Sequence, residues 1–493
     1  MKKIFMFLYL LITINILGME EIKVSYPKGR VDFSFYQNLE EDKYKGKYVD
    51  LFDFLNKDKK YKFKYQIEKK DEKNLADIQI RKLGNFDSNY NYIETPYTQR
   101  IYVIAKKGVD LKNIDEKENL RVGYFGKGIE EIERLKNYYD TPESDVTIFR
   151  NEEDIYYALI TGNIDIAVIV NLKKSSNFPN AEILTTINVK EYIGIRKDRE
   201  DLYQLFSKNI EKFDNKKLLE SNKKNRIEYF KYLYKDTPTY NDIKIRYKDL
   251  KVLIPDKEFL PYYKSRGTKS EGVVPYIGEE IEEILRVPVR YVLSKDEAWD
   301  INGVDFTKDK STLSRGYLRN KIVGINKLTD ATILTYKDLE GMTIIKLKDT
   351  NLNNLLSKLN NKKIIEVTSF DEGMKYLKNT KNSVFIGTQL YLNYYLKKEN
   401  LDKEYKVSQS KFEIPTEMTF KDRELMKILN EVLLSYSADE IEYVANSMVV
   451  TDSNLSLKIF IVESIVIGII LIYGILRFKK GKDRKDIKWK KIC

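Results

Sequence analysis

Short runs of β-branched and aromatic residues alternate along this chain with longer segments whose apolar positions recur every three or four residues. Residues 22–25, 63–67, 76–80, 101–105, 121–124 and 164–170 predict strands, and residues 48–56, 130–139 and 152–161 predict helices. Such alternation predicts an α/β fold of parallel sheets covered by helices. At 493 residues the chain is too long for one core and suits two or three domains.

The pattern repeats after about 220 residues, a spacing that suits a duplicated domain and not a solenoid. Lys197-Asp198-Arg199-Glu200 recurs as Lys421-Asp422-Arg423-Glu424, each leading into an amphipathic helix. NEEDIYYAL at 151–159 matches SFDEGMKYL at 369–377, and YTQRIYVIAK at 97–106 matches YLRNKIVGINK at 317–327. The matched segments keep the same order. A Lys-, Asp- and Tyr-rich stretch around Pro238 marks the boundary, which predicts domains at 20–236 and 247–452 joined by a linker at 237–246.

Two apolar segments lie at the ends. Lys2 and Lys3 precede an apolar core at 4–17 and Gly18, the layout of a signal peptide over residues 1–18. Residues 455–476 are long enough to cross a bilayer, and Arg477, Lys479 and Lys480 follow at once. The positive-inside rule places the tail at 477–493 in the cytoplasm and residues 20–454 outside it.

Charge then becomes informative. Of the formal +12, the last seventeen residues hold nine Lys/Arg and two Asp, and Lys2 and Lys3 add two more. Only +3 remains for the long middle section, which is no footprint for nucleic acid. The chain contains no His, which removes imidazole acid–base chemistry and His-containing metal sites. Its one cysteine is Cys493, so no intramolecular disulfide forms. There is no Gly-x-Ser-x-Gly elbow and no phosphate loop, so no catalytic residue, metal or cofactor is expected and the chain is read as a non-enzyme.

Several motifs resemble the family 3 extracellular solute-binding proteins, whose fold is the type II periplasmic-binding (Venus flytrap) fold. Asp32-Phe33-Ser34-Phe35 resembles that family's Pro-Phe-Ser-Phe after the first strand. Gly46 with Tyr48-Val49-Asp50-Leu51 resembles its Gly-Phe-x-x-Asp-Leu helix start, and Glu94-Thr95-Pro96-Tyr97 its Ser-x-Pro-Tyr. Gly162-Asn163-Ile164-Asp165 resembles its second-lobe turn. In the second copy, Phe259-Leu260-Pro261-Tyr262, residues 272–277 and Asp349-Thr350 take the corresponding places, and Ser383 replaces the turn aspartate. The resemblance implies two tandem bilobed modules plus one C-terminal transmembrane helix. In the first module it implies lobes at about 20–105 with 190–236, and at 106–189.

The resemblance also implies contact residues. Phe33, Phe35, Tyr97 and Tyr262 would line the cleft mouth, with core packing the competing expectation for Phe35 and Tyr97. Lys127 and Gly128 belong to a Gly-Lys-Gly triplet that either offers backbone N–H groups to an anion or is a plain strand–helix turn. Asn171, Thr350 and Thr388 fall at second-lobe ligand positions, although Thr350 also suits a helix cap. Where amino-acid binders carry a clamping Arg this chain has Asp87 and Thr307, and where they carry the ammonium-binding carboxylate it has Val170 and Thr388. A free α-amino acid therefore lacks its usual clamp. Either the modules take another small solute, or one copy has become a spacer.

The expected function is a membrane-anchored small-solute binding or sensing protein without an output domain of its own. It would act with a signalling partner. The alternative is the tethered binding component of an ABC-type transporter, acting with a permease.

Overall fold

The computed structural model describes residues 19–448, apart from 27–32, 68–75, 82–85, 109–119, 126–145, 150–151, 170–179, 256–257, 267–268, 294–296, 306–312, 331–332, 334–335, 349–351, 353–355, 357–362 and 438. The expected signal peptide, membrane span and tail, the helix at 130–139, and Lys127, Gly128, Asn171 and Thr350 lie outside the described residues. Among those residues no helix is long and apolar enough to cross a membrane.

The first half of the chain supplies β1 (Glu20–Tyr26), β2 (Tyr36–Asn38), β3 (Lys43–Lys45), β4 (Tyr61–Ile67), β5 (Ile78–Arg81), β6 (Tyr90–Lys106), β7 (Val122–Phe125), β8 (Val146–Phe149), β9 (Ile166–Ile169) and β10 (Ala181–Arg196). The second supplies β11 (Leu250–Leu253), β12 (Glu258–Phe259), β13 (Tyr263–Arg266), β14 (Lys269–Glu271), β15 (Val289–Val292), β16 (Ile301–Asp305), β17 (Leu313–Lys327), β18 (Thr343–Leu347), β19 (Ile364–Val367), β20 (Ser383–Thr388) and β21 (Tyr405–Phe420).

Each half builds one eight-stranded sheet. The orders are β4-β1-β5-β10-β6-β9-β7-β8 and β15-β11-β16-β21-β17-β20-β18-β19. Position by position these are the same topology, which is what the repeated motifs predict. The sheets are not wholly parallel, contrary to what the alternation alone predicts. Their flanks are parallel, as in β1 with β4 and β7 with β8. In the middle, β10 runs antiparallel to both β5 and β6. β6 has 17 residues and β10 has 16, and each runs through both ends of the sheet.

Buried side chains gather separately on the two ends. One cluster holds Ile22, Leu51, Phe52, Ile78 and Phe206, whereas Val103, Val122 and Val168 sit in another. The second half divides likewise between Ile277, Ile281 and Leu429 on one side and Ile345, Phe370 and Phe385 on the other. The result is a mixed α/β, bilobed architecture in which long central strands run through both lobes of each half.

Helix starts are set locally. The helix Lys47–Leu55 turns Tyr48, Leu51, Phe52 and Leu55 to the core, a spacing that makes one apolar face. It begins at Gly46, where φ is +128° and an added Cβ would lie 2.4 Å from the Ser34 carbonyl oxygen. Gly272 opens the helix Val273–Leu285 in the same way, with φ +125° and the Tyr262 carbonyl oxygen 2.5 Å from where a Cβ would stand. Only glycine fits such a backbone at no steric cost. The stretch 237–246 is not extended. It forms the helix Pro238–Arg246, with Pro238 in the first turn and Tyr240 and Ile243 buried.

Candidate functional site

In each half the residues of interest collect where the long strands pass from one lobe to the other. In the first half, β10 carries Glu191 and β6 carries Thr95 and Tyr97, all buried. The Glu191 carboxylate accepts a hydrogen bond from the Tyr48 hydroxyl. It also lies 3.5 Å from the Lys47 ammonium. Thr95 Oγ1 donates to the Glu191 carbonyl at 2.9 Å, and the Tyr97 hydroxyl donates to the Lys47 carbonyl at 2.8 Å.

Lys47 is therefore enclosed. Its Nζ stands 4.3 Å from the Tyr97 ring centroid, 5.8 Å from that of Tyr48 and 5.7 Å from that of Phe33. A cation over aromatic faces beside a carboxylate is an arrangement suited to an amine, and here the chain's own lysine fills it. Burial, followed by the neighbouring Glu191 charge, holds the Tyr48 phenol well above its ordinary range. Burial does the same to Tyr97. Both stay neutral donors.

The first-half aromatics thus separate. Phe35 is fully buried, stacked 4.5 Å from Tyr26 and 5.2 Å from Tyr44, so it is a core residue and does not stand at a cleft mouth. Tyr97 is likewise packed inside. Phe33 is half-buried and has the Arg226 guanidinium 5.4 Å from its ring, so it faces the helix Asn215–Tyr234.

The second half brings two expected residues together. Tyr262, fully buried, stacks on Phe259 at 5.5 Å. Its hydroxyl accepts from Asn320 Nδ2 at 3.3 Å, and Asn320 Nδ2 also donates to Thr416 Oγ1. Burial raises the Tyr262 phenol, and hydrogen bonds with Thr416, Thr388 and Asn320 pull it partly back. Thr388 stands at the N-cap of the helix Gln389–Lys398, yet its side chain makes no cap hydrogen bond. It lies near enough to Tyr262 to help lower that phenol. Tyr262 belongs to one lobe and Thr388 to the other, so the two meet across the interlobe space. Phe259 with Tyr391, at 6.5 Å, adds a second crossing contact.

Sequence reasoning missed Lys47, Glu191, Asn320 and Thr416, because a polar residue at a helix start or on a strand carries no mark of the burial and partners it meets in the fold. Among the described residues no group of three or more Asp, Glu or Cys is placed to hold a metal ion.

No protein-family model matches the chain, and no curated protein matches it. Among solved structures, the periplasmic domain of BvgS from B. pertussis is similar at 16% identity and TM-score 0.34, covering 89% of this chain and 94% of that one. A mutant of ArgBP from T. maritima is similar at 18% identity and TM-score 0.34, covering 43% of this chain and 99% of its own. An amino acid ABC transporter substrate-binding protein, AbpA from Streptococcus pneumoniae, bound to L-arginine, is similar at 15% identity and TM-score 0.35, with 42% and 97% covered.

Proposed function

We propose that this chain is an exported, membrane-anchored sensor of a small solute, built from modules at 20–236 and 247–452 with the helix-forming stretch 237–246 between them, a span at 455–476 and a basic tail at 477–493. The observation that carries this reading is the pair of long strands in each sheet. Two lobes joined by such strands can swing together on a solute, and closure is favoured by contacts made when both lobes engage.

The two halves do not have equal claims to the solute. In the second, Tyr262 is fully buried beside Asn320 and Thr388, and Phe259 meets Tyr391 across the lobes. The reading therefore assigns the solute to the first module and a fixed, closed form to the second. Lys47 is occupied by Glu191 and Asp87 stands where amino-acid binders carry the clamping Arg, so a free α-amino acid is disfavoured as the solute. Sensing is preferred to transport because residues 439–448, just ahead of the expected span, form a helix whose Ile441, Val444, Ala445 and Met448 are buried. A tether that serves delivery needs reach and gains nothing from being packed into the body.

The test is a solute panel on the full-length protein, followed by thermal unfolding. A solute at a hundredfold excess over Kd should stabilise by about 2.7 kcal/mol. Tyr262→Ala should leave that shift in place. A Gly/Ser spacer inserted after Asp452 should then abolish signalling while binding persists. Unchanged solute-dependent output with the spacer would favour the transporter reading, and a panel without any shift would count against binding in either module.

A further inference from the structure

The helix at residues 439–448 makes contacts far beyond its own module. Asp439 accepts from Thr98 Oγ1 at 2.8 Å and from Asn188 Nδ2 at 3.0 Å. Thr98 lies on β6 and Asn188 on β10, the two strands that pass between the lobes of the first half. The next residue, Glu440, is buried and accepts from Arg226 Nη1 at 3.1 Å and from the Tyr276 hydroxyl at 2.7 Å. Arg226, fully buried, belongs to the helix Asn215–Tyr234, has Glu280 3.3 Å away and rests 3.8 Å from the Tyr436 ring centroid. Further along, Ile441, Val444 and Ala445 pack with Ile277, Ile281 and Leu429. At the far end Met448 clusters with Leu260 and Tyr394, and Asn446 accepts from Lys397 at 3.4 Å.

We infer that residues 439–448 form a coupling strut, through which the hinge strands of the first sheet are tied to both lobes of the second half. The two ends of the acidic pair differ in strength. Glu440 is a permanent anchor, because a buried carboxylate stripped of its arginine would be left uncompensated. Asp439 is exposed, so its two hydrogen bonds to the strands are individually weak and exchange readily with water. A rotation of β6 against β10 moves Thr98 relative to Asn188 and so changes what Asp439 can hold. The strut then shifts about its Glu440 end and carries the change to Met448 and Lys397. This inference does not depend on which module takes the solute or on what lies beyond residue 448.

Hydrogen exchange on the full-length protein tests it. Asp439→Ala, and separately Thr98→Val with Asn188→Leu, should each speed exchange of the amides at 441–448 about tenfold, the effect of losing two such bonds. The helix Gln389–Lys398, which meets the strut through Tyr394 and Lys397, should loosen in both. Asp439→Asn, which keeps an acceptor, should fall between wild type and Asp439→Ala. Protection in β1 and β4 should not change, since the substituted side chains are at the surface of the hinge. Wild-type exchange at 441–448 in Asp439→Ala, or an increase confined to the neighbourhood of residues 98 and 188, would overturn the strut.

Discussion

The ammonium of Lys47 lies 3.5 Å from the carboxylate of Glu191, and both side chains are almost wholly buried. The pair joins the start of the helix Lys47–Leu55 to β10, so it fixes the first lobe against a hinge strand. Lys47→Met leaves Glu191 buried beside Tyr48 alone. The expected cost is about 3–5 kcal/mol, typical of breaking one side of a buried pair. Lys47→Met combined with Glu191→Leu should recover much of that loss in chemical denaturation. Equal midpoints for the single and double variants would show that the pair is not coupled.

Tyr262→Phe removes one hydroxyl from a buried network and keeps the ring on Phe259. Asn320 retains Thr416 as a partner, so a loss of about 1 kcal/mol is expected. Tyr262→Ala removes the ring as well and should cost about 3–5 kcal/mol. Denaturation midpoints separate the two. A Tyr262→Phe cost as large as that of Tyr262→Ala would mean that the hydroxyl, and not packing, closes the second half.

Glu280 sets a pH dependence. Burial pushes its carboxyl up to about 7, while Arg226 pulls it down, Glu440 pushes it up, and the nearby Tyr436 and Lys223 lower it. An unfolded glutamate releases its proton near the ordinary value of 4.5. Between those values the folded chain binds more protons than the unfolded one. This group's contribution to stability therefore falls as pH rises from about 4.5 to about 7 and is level above, with a slope of at most about 1.4 kcal/mol per pH unit. Glu280→Gln should be flatter than wild type across that window. A difference curve without slope would refute the assignment.

Gly46→Ala and Gly272→Ala each place a methyl group against a backbone carbonyl, at a φ that side chains rarely adopt. Neither neighbour can rotate away. Each substitution should cost at least about 1–3 kcal/mol, read from the denaturation midpoint. Gly108→Ala also changes a positive φ, +78°, but meets nothing within 4 Å, so it should cost less and serves as the control.

A tag placed after Cys493 should stay protected from protease in cells whose outer barrier has been permeabilised, while residues 20–448 become accessible. A surface-exposed tag would sink the proposed orientation.

Much of the architecture was written locally. Strand and helix periods, the glycine at each helix start and the recurring Lys-Asp-Arg-Glu are short-range demands of backbone geometry, and they carried the α/β class and the duplicated topology. The Asp422 cap, for example, accepts from Glu424 and Leu425 within its own turn. Of the expected contacts, Tyr262 and Thr388 stand out separately by motif position, but nothing in either segment says that they meet. In β10, Thr186, Asn188 and Lys190 alternate with Ile187 and Val189, yet nothing local says that the strand runs antiparallel to β5 and β6, which lie far away in the chain. In sequence Glu191 is indistinguishable from a surface charge, and Phe35 suits a cleft as well as a core; packing buries both. The Arg226–Glu440 pair spans 214 positions. Its partners are chosen by how the helix Asn215–Tyr234 docks on the second half, and a charge in sequence carries no mark of the charge it will meet. Burial and long-range pairing are properties of the assembled chain, so only the tertiary structure decided them.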